Sequence, residues 1–169
     1  MSVQHDIAIR IAPERPADAA AAAGLVERVF GPGRFAKVSE RLREGNRFVP
    51  ELSFVAYEGE RLIGSVRLWP VRIGGRPALL LGPLAVDPAG QGRGVGASLV
   101  EHACDAAARE GHEVIVLVGD FAFFERIGFE RPAPDVTVTL PGPADGRRIL
   151  FKALKPGALD GLQGPVTLP

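Results

Sequence analysis

Three glycines alternate in the segment Gln91-Gly92-Arg93-Gly94-Val95-Gly96, which lies between a predicted strand and a predicted helix. Glycine lets the backbone adopt positive φ and lets a ligand approach closely. The first turn of the following helix adds unpaired N–H groups and the positive end of the helix dipole. The segment therefore predicts a backbone site for a diphosphate, to which Arg93 adds a positive charge and Gln91 a hydrogen-bonding group. A tight strand-to-helix connection without a ligand is the alternative.

Two other phosphate-binding patterns must be weighed against this segment. The P-loop requires a lysine after its last glycine, and none follows Gly96. The pattern G-x-G-x-x-A of dinucleotide-binding folds is satisfied from Gly92 to Ala97, with Asp120 after the next strand. That fold needs further βαβ units, but fewer than fifty residues follow Asp120. A nicotinamide-dependent enzyme is therefore the least favoured interpretation.

The composition indicates one ordinary globular domain that spans residues 1–169. The chain is 46% hydrophobic, and its 20 basic and 20 acidic residues balance, so neither nucleic acid nor a membrane surface is an expected partner. No segment approaches the roughly 20 apolar residues that span a bilayer. The single cysteine, Cys104, cannot form an internal disulfide, and no ligand spacing indicates a metal. We expect a cytoplasmic protein without a metal, in which Cys104 is a structural thiol; a homodimer is left open.

The spacing of apolar residues predicts an α+β fold. Helices are predicted at residues 16–30, 34–43, 95–110 and 121–127, and strands at 5–11, 52–57, 61–69, 71–73, 77–86, 114–118, 136–140 and 148–154. The run 78–81 is apolar on both faces, which places it at the centre of the sheet. Because proline cannot donate to a ladder, Gly82-Pro83 predicts a bulge or a splayed strand. Residues 156–169 are interpreted as a Gly/Pro-rich tail.

Two motifs in this chain resemble those of the GCN5-related N-acetyltransferases, the GNAT family. The first is Leu84-Ala85-Val86-Asp87-Pro88 followed by Gln91 to Gly96, and the second is an aromatic residue followed by Glu125-Arg126-Ile127-Gly128-Phe129. Their separation by one helix and one strand also fits the family. More narrowly, Val118-Gly119-Asp120 and the segment 156–161 resemble its YhbS-type branch. The resemblance extends from about Ser53 to the end of the chain.

The resemblance implies a GNAT fold, in which a mixed, mostly antiparallel sheet is splayed between strands 4 and 5 and flanked by helices on both faces. Acetyl-CoA, the acyl donor co-substrate, would lie between residues 79–86 and 114–118. Backbone groups of strand 4 would pair with its pantetheine arm, and the N–H of Val86 or Ala85 would polarise the thioester carbonyl. The implied acetyl-CoA-binding residues are Leu84, Ala85, Val86, Gln91, Gly92, Arg93, Gly94, Val95, Gly96, Phe123, Phe124 and Arg126.

The implied reaction is direct attack by a primary amine, from a small molecule or a protein amino group, on the thioester. Phe124 occupies the position of the family's usual tyrosine, the general acid, and phenylalanine has no proton to give. Asp120 is the candidate base, with capping of the next helix as the alternative. Phe30, Arg34 and Trp69 are candidate substrate contacts. Since the usual acid is absent, a non-catalytic acyl-CoA-binding protein is the alternative function.

Overall fold

A sheet of eight strands and three α-helices form the part of the chain that the computed structural model describes, residues 8–142 and 146–169. The strands are β1 (Ile9–Pro13), β2 (Phe54–Glu58), β3 (Arg61–Ile73), β4 (Arg76–Val86), β5 (Val114–Val118), β6 (Val138–Thr139), β7 (Ile149–Ala153) and β8 (Gly164–Thr167). The α-helices are α1 (Ala19–Phe30), α2 (Val95–Arg109) and α3 (Phe121–Glu125). Short 3₁₀ helices occupy several of the connections.

The strand order β1-β2-β3-β4-β5-β7 is antiparallel at every step except β4–β5, which is parallel. At one end of the sheet, β8 pairs with the last residues of β3 and with β6. A mixed, mostly antiparallel sheet is therefore confirmed. Its topology excludes the doubly wound parallel sheet that the nicotinamide interpretation required.

β4 separates from β5 before either strand ends. Their pairing consists of Leu79 with Ile115 and Leu80 with Val116, although β4 continues to Val86 and β5 to Val118. Just beyond the paired residues, Gly82 and Pro83 together lie opposite the single residue Arg67 of β3, because the register shifts from Leu68↔Leu81 to Val66↔Leu84. The predicted bulge and the predicted splay between strands 4 and 5 therefore occur together.

Helices cover both faces of the sheet, and alternating residues of the strands meet one or the other. α2 packs through Leu99 and Ala103 against Phe54 and Ile63, and it comes so close that a Cβ on Gly64 would lie 2.8 Å from Leu99 Cδ1. On the opposite face, α1 contributes a smaller cluster, formed by Ala22, Leu25, Val26, Val55, Leu62 and Ala85. The sheet is thus held rigidly near the point where β4 and β5 diverge.

A polar cluster fixes the start of α1 to β2. The Asp18 side chain is buried and accepts hydrogen bonds from the Arg15 N–H at 2.8 Å, from the Arg15 guanidinium and from the Tyr57 hydroxyl. The bonds from Arg15 are the main reason that the pKa of Asp18 falls to about 2. Tyr57, the single tyrosine of the chain, therefore has a structural role in this cluster, which anchors the start of α1.

Three predictions differ from the structure, and part of a fourth predicted element lies outside the described residues. The two strands predicted at 61–69 and 71–73 are one continuous β3. The helix predicted at 34–43 is two 3₁₀ helices, Pro32–Ala36 and Val38–Leu42, because Lys37 between them is extended. Residues 5–7 of the strand predicted at 5–11 lie outside the described residues. The predicted tail contains β8, and it also buries Ala158, Leu162 and Val166 against the end of the sheet.

Replacement of Val166 by alanine tests whether β8 belongs to the folded core. Val166 is 2% exposed and packs in one cluster with Ile73 and Leu162. The loss of two buried carbons and the cavity left behind predict a decrease of about 2 kcal/mol in the free energy of unfolding, measured in urea. The neighbouring Thr167 is exposed, so Thr167→Ala is the control. Equal stability of the two variants would contradict the placement of β8.

Candidate functional site

The splayed end of β4 presents unpaired backbone groups to the gap. The Asp87 N–H donates to the Ile63 carbonyl oxygen at 2.8 Å. In an antiparallel ladder every second residue is hydrogen-bonded to the partner strand, so Ala85 bonds to β3 through its partner Ser65. The N–H and C=O groups of Leu84 and Val86 therefore point away from β3, toward the side where β5 has ended. Of the two predicted thioester donors, only Val86 has an available N–H.

The glycine-rich turn connects this strand end to α2. Gly92 and Gly94 both have φ of 76°, in the left-handed region that favours glycine, and Gly94 is the N-cap residue of α2. Asp87 closes the start of the turn by accepting a hydrogen bond from the Ala89 N–H at 2.9 Å. That bond, assisted by Arg61 and Arg28, lowers the pKa of the Asp87 carboxyl. The turn thus delivers the first N–H groups of α2 beside the open edge of β4.

A cleft of about 670 Å³, the turn cleft, runs between this turn, the open edge of β4 and α3. Its walls contain most of the predicted binding residues, namely Leu84, Val86, Gln91, Gly92, Gly94, Val95, Gly96, Phe123 and Arg126. Sequence reasoning missed other wall residues, which are Val29, Gly90, Ala97 and Ile127, and had assigned Phe30 to the substrate instead. At such apolar and glycine positions, the sequence pattern does not distinguish a residue of a cleft wall from a residue of the core.

Gly96 keeps the turn cleft open. A Cβ at this position would lie 3.4 Å from Phe123 Cζ and 3.5 Å from Val86 Cγ2, so larger side chains would fill the space between α2 and α3. Phe123 itself is 37% exposed, one of the few large apolar side chains so exposed among the described residues. An apolar wall beside unpaired N–H groups suits an elongated ligand with one anionic end.

Three residues predicted to bind this ligand, Ala85, Arg93 and Phe124, are absent from this wall. The Arg93 guanidinium pairs with the Glu58 carboxylate at 2.5 Å, which draws it toward β2 and out of the cleft wall. The Ala85 side chain packs against α1, and its backbone is bonded to Ser65. Arg126 is the cation that lines the cleft, and it makes no ion pair with another residue of the described segments 8–142 and 146–169.

A second cavity of about 230 Å³, the strand-end cavity, continues from the turn cleft along residues 81–84 of β4 to the end of β5. The two spaces share Phe30 and Leu84. The remaining residues of its wall are Arg34, Lys37, Ser39, Arg43, Leu81, Gly82, Pro83, Val118, Gly119, Asp120, Phe124 and Arg148. Trp69 is absent from both walls, because its ring is buried and its Nε1 donates to the Gly82 carbonyl oxygen at 2.6 Å. The structure thus brings Phe30 and Arg34 to this cavity and leaves Trp69 outside it.

Phe124 and Asp120 lie together on the α3 side of the strand-end cavity. Phe124 is 8% exposed and makes edge-to-face contacts with Phe123 at 4.9 Å and Phe129 at 5.4 Å between ring centroids. A Cβ on Gly119 would lie 2.7 Å from its ring, so glycine is required there. Asp120 is exposed at the N-cap position of α3, and its side chain makes no capping hydrogen bond to that helix. Its carboxylate is therefore available to the cavity.

Cys104 is a structural thiol, as expected. It is 2% exposed on α2, and burial raises its pKa to about 11, so it stays protonated and is a poor nucleophile. Within residues 8–142 and 146–169, no three His, Cys, Asp or Glu side chains are grouped so that they could hold a metal ion. No helix in the same segments is long and apolar enough to cross a membrane.

The chain is similar in sequence to bacterial proteins described as N-acetyltransferases. Residues 50–131 match the family described as acetyltransferase (GNAT) domain. Over 157 residues the chain is 33% identical to the uncharacterized N-acetyltransferase YhbS of Escherichia coli K12, covering 90% of this chain and 92% of YhbS. It is also 31% identical to the uncharacterized N-acetyltransferase YjhQ of the same strain over 121 residues, which cover 69% of this chain and 66% of YjhQ.

Solved structures share the fold over nearly the whole chain. The E. coli YhbS structure in complex with CoA superposes with a TM-score of 0.82 at 30% identity, covering 100% of this chain and 94% of YhbS. A GNAT family acetyltransferase from Brucella melitensis in complex with acetyl-CoA has a TM-score of 0.70 at 27% identity, covering 96% and 97% of the two chains.

Proposed function

The chain belongs to the GNAT family of acyl-CoA-dependent N-acetyltransferases, and we propose that it transfers the acetyl group of acetyl-CoA to a primary amine by direct attack. The observation that carries this proposal is the junction of the two spaces at β4. There Leu84 lines both spaces, and Val86, which lines the turn cleft, turns its N–H into the same gap. A donor in the first space and an acceptor in the second would meet along this open edge of β4.

The turn cleft is the proposed acetyl-CoA site. The diphosphate would accept hydrogen bonds from the N–H groups of the turn at Gly92 to Gly96, at the positive end of α2. Arg126 would supply the cationic contact that was predicted for Arg93, because Arg93 forms an ion pair with Glu58. The CoA and acetyl-CoA held by the YhbS and Brucella structures support this ligand.

The open edge of β4 is the proposed binding surface for the pantetheine arm. Its amides would pair with the outward N–H and C=O groups of Leu84 and Val86, as an added strand does. This pairing would lead the arm away from the turn along the last residues of β4 and bring the thioester to the open edge beside Val86 and Leu84. There the Val86 N–H would donate to the carbonyl oxygen and stabilise the negative charge that develops on it during attack.

The proposed chemical step needs no covalent enzyme intermediate. The neutral amine nitrogen attacks the thioester carbon, an N–C bond forms, and the C–S bond breaks. The amine proton passes to the Asp120 carboxylate or to water, while the departing thiolate takes its proton from solvent because Phe124 has none. Cys104 is buried, which argues against an acyl-thiol route. We also propose a cytoplasmic location for the protein.

A non-catalytic acyl-CoA-binding protein is the second candidate, favoured by the single observation that Phe124 removes the usual acid. The assay that separates the two candidates follows thiol release from acetyl-CoA with a panel of amines, with mass detection of the acetylated product. We expect turnover in which thiol and acetylated amine appear in equal amounts. Tight CoA binding without acetylated product from any amine would sink the proposed reaction and support the second candidate.

Replacement of Gly96 by valine tests the turn cleft. The side chain would project toward Phe123 and Val86 and fill the space proposed for CoA. We expect the Kd for CoA, measured by calorimetry, to rise at least about tenfold, which corresponds to about 1.4 kcal/mol. Ala108 is exposed on the same helix, so Ala108→Val is the control for helix propensity. An unchanged Kd in Gly96→Val would place the ligand elsewhere.

Replacement of Phe124 by tyrosine restores a phenolic donor at the edge of the strand-end cavity. General acids contribute about 10²–10⁴-fold where proton transfer limits the rate. A thiolate leaves readily without a proton, so we expect a smaller gain in kcat, up to about tenfold. Phe121→Tyr is the control, because Phe121 packs against Arg131 outside both spaces. A kcat that does not rise, with CoA affinity intact, would contradict the assignment of position 124.

A further inference from the structure

The strand-end cavity carries an excess of positive charge. Four cations line it, Arg34, Lys37, Arg43 and Arg148, against the single carboxylate of Asp120. Arg34 pairs with Glu27 at 3.4 Å and Arg43 with Glu40 at 3.1 Å. These two acids neutralise part of the charge, and neither of them lies in the cavity wall.

Two of the cations have no acidic partner among the described residues. Neither Lys37 nor Arg148 makes an ion pair within residues 8–142 and 146–169. Lys37 lies over the Phe30 ring, with its Nζ 4.6 Å from the ring centroid, at the boundary with the turn cleft. Arg148 lies across the cavity, where its carbonyl oxygen accepts the Gly119 N–H at 2.8 Å, next to Asp120.

The guanidinium of Arg43 is largely buried, and the burial of its positive charge destabilises the folded protein. Its side chain is only 13% exposed, its Nε is buried without a hydrogen-bond partner in the described residues, and burial lowers its pKa. A Cβ on Gly82 would lie 2.5 Å from its guanidinium, so the group is packed directly under the splayed part of β4. A buried cation that is only partly neutralised is stabilised by an anion in the adjoining cavity.

The cations are placed for the acceptor rather than for the donor's phosphates. Of these two spaces, the glycine turn lines the turn cleft and not the strand-end cavity, whereas Lys37, Arg43 and Arg148 line the strand-end cavity, beyond Leu84, and not the turn cleft. A CoA molecule with its diphosphate on the turn would reach this cavity with its uncharged acyl end. An acceptor that was merely a protonated amine would meet like charge on nearly every side.

We propose that the acceptor is a small amine that also carries an anionic oxygen group, a carboxylate or a phosphate, held by Lys37 and Arg148. This proposal rests on the proposed acetyl transfer. The anionic group offsets the cavity's charge, and the amino group faces the thioester near Leu84 and Val86. The surrounding cations lower the pKa of the bound amine and so increase the neutral form that attacks, with Asp120 or water taking the proton released.

The test compares matched amines that differ in the anionic group. Ethanolamine phosphate is paired with ethanolamine, and β-alanine with β-alaninamide, at saturating acetyl-CoA. We expect kcat/KM to be at least tenfold higher for the anionic member of one pair or both. A preference in the first pair identifies phosphate recognition, and a preference in the second identifies carboxylate recognition. Equal values within both pairs, or a preference for the neutral members, would overturn the proposal.

Variants assign the preference to the two cations. Lys37→Gln and Arg148→Gln are each expected to reduce it at least fivefold through KM for the anionic amine, with the Kd for CoA unchanged. Arg109→Gln is the matched control, because Arg109 is exposed at the end of α2 and lies outside both walls. Weaker CoA binding together with an unchanged preference would assign the cations to the donor and refute the proposal.

Calorimetry with the CoA-saturated protein separates this proposal from the proposed reaction. If no amine is turned over, the acetyl transfer fails, yet tighter binding of the anionic amines than of their neutral partners still supports the anion site. If the neutral amines bind equally well, the anion site fails whatever the outcome of the turnover assay.

Discussion

The early end of β4–β5 pairing is the constraint on which the rest of this structure depends. Two residue pairs, ending at Leu80 and Val116, join the strands before Gly82-Pro83 bulges β4 away from its neighbour. Backbone N–H and C=O groups are obligatory hydrogen-bonding groups, and a strand that leaves its partner must have them satisfied in another way. Among residues 8–142 and 146–169, no second strand pairs with Leu84 and Val86 at the carboxyl end of β4. A ligand with amides at strand spacing can satisfy them, which is why we propose the splay as the binding surface for the pantetheine arm.

The elements around the splay divide the space into two connected parts. α1 and α2 pack on opposite faces and hold β3 and β4, so the open edge does not collapse. The glycine turn and Phe123 bound one part, and Phe124 with Asp120 bounds the other. Phe30, at the end of α1, and Leu84 stand at their junction. Phe123 and Phe124, neighbours on the short helix α3, thus face the proposed donor side and the proposed acceptor side, and their rings make an edge-to-face contact at 4.9 Å.

Local patterns predicted the glycine turn, the hairpins and α2, because turn residues and apolar spacing act within a few positions of the chain. The family resemblance extended this to the splayed sheet. The features that could not be predicted depend on contacts between residues far apart in sequence.

Arg93 was expected to bind the ligand, but it forms an ion pair with Glu58 on β2 instead. Ala85 was offered as an alternative donor to Val86, and only the register with Ser65 on β3 excludes it. Two of the four residues of β8 are glycine and proline, which are unfavourable in strands, so β8 is recognised as a strand only through its pairing with β3 and β6. Likewise, the cationic excess beside Asp120 appears only when Lys37 and Arg148 are brought to one cavity from opposite ends of the chain.

Hydrogen exchange of the backbone amides of Val86 and Ala85, measured by NMR with and without saturating acetyl-CoA, tests the central claim most directly. In the free protein, the Ala85 amide is bonded to β3 and should exchange slowly, whereas the Val86 amide faces the gap and should exchange faster. Acetyl-CoA should slow the exchange of Val86 at least about tenfold and change Ala85 little. If Val86 exchanges at the same rate when the protein is saturated with acetyl-CoA, the open edge of β4 does not receive the ligand, and the account is wrong.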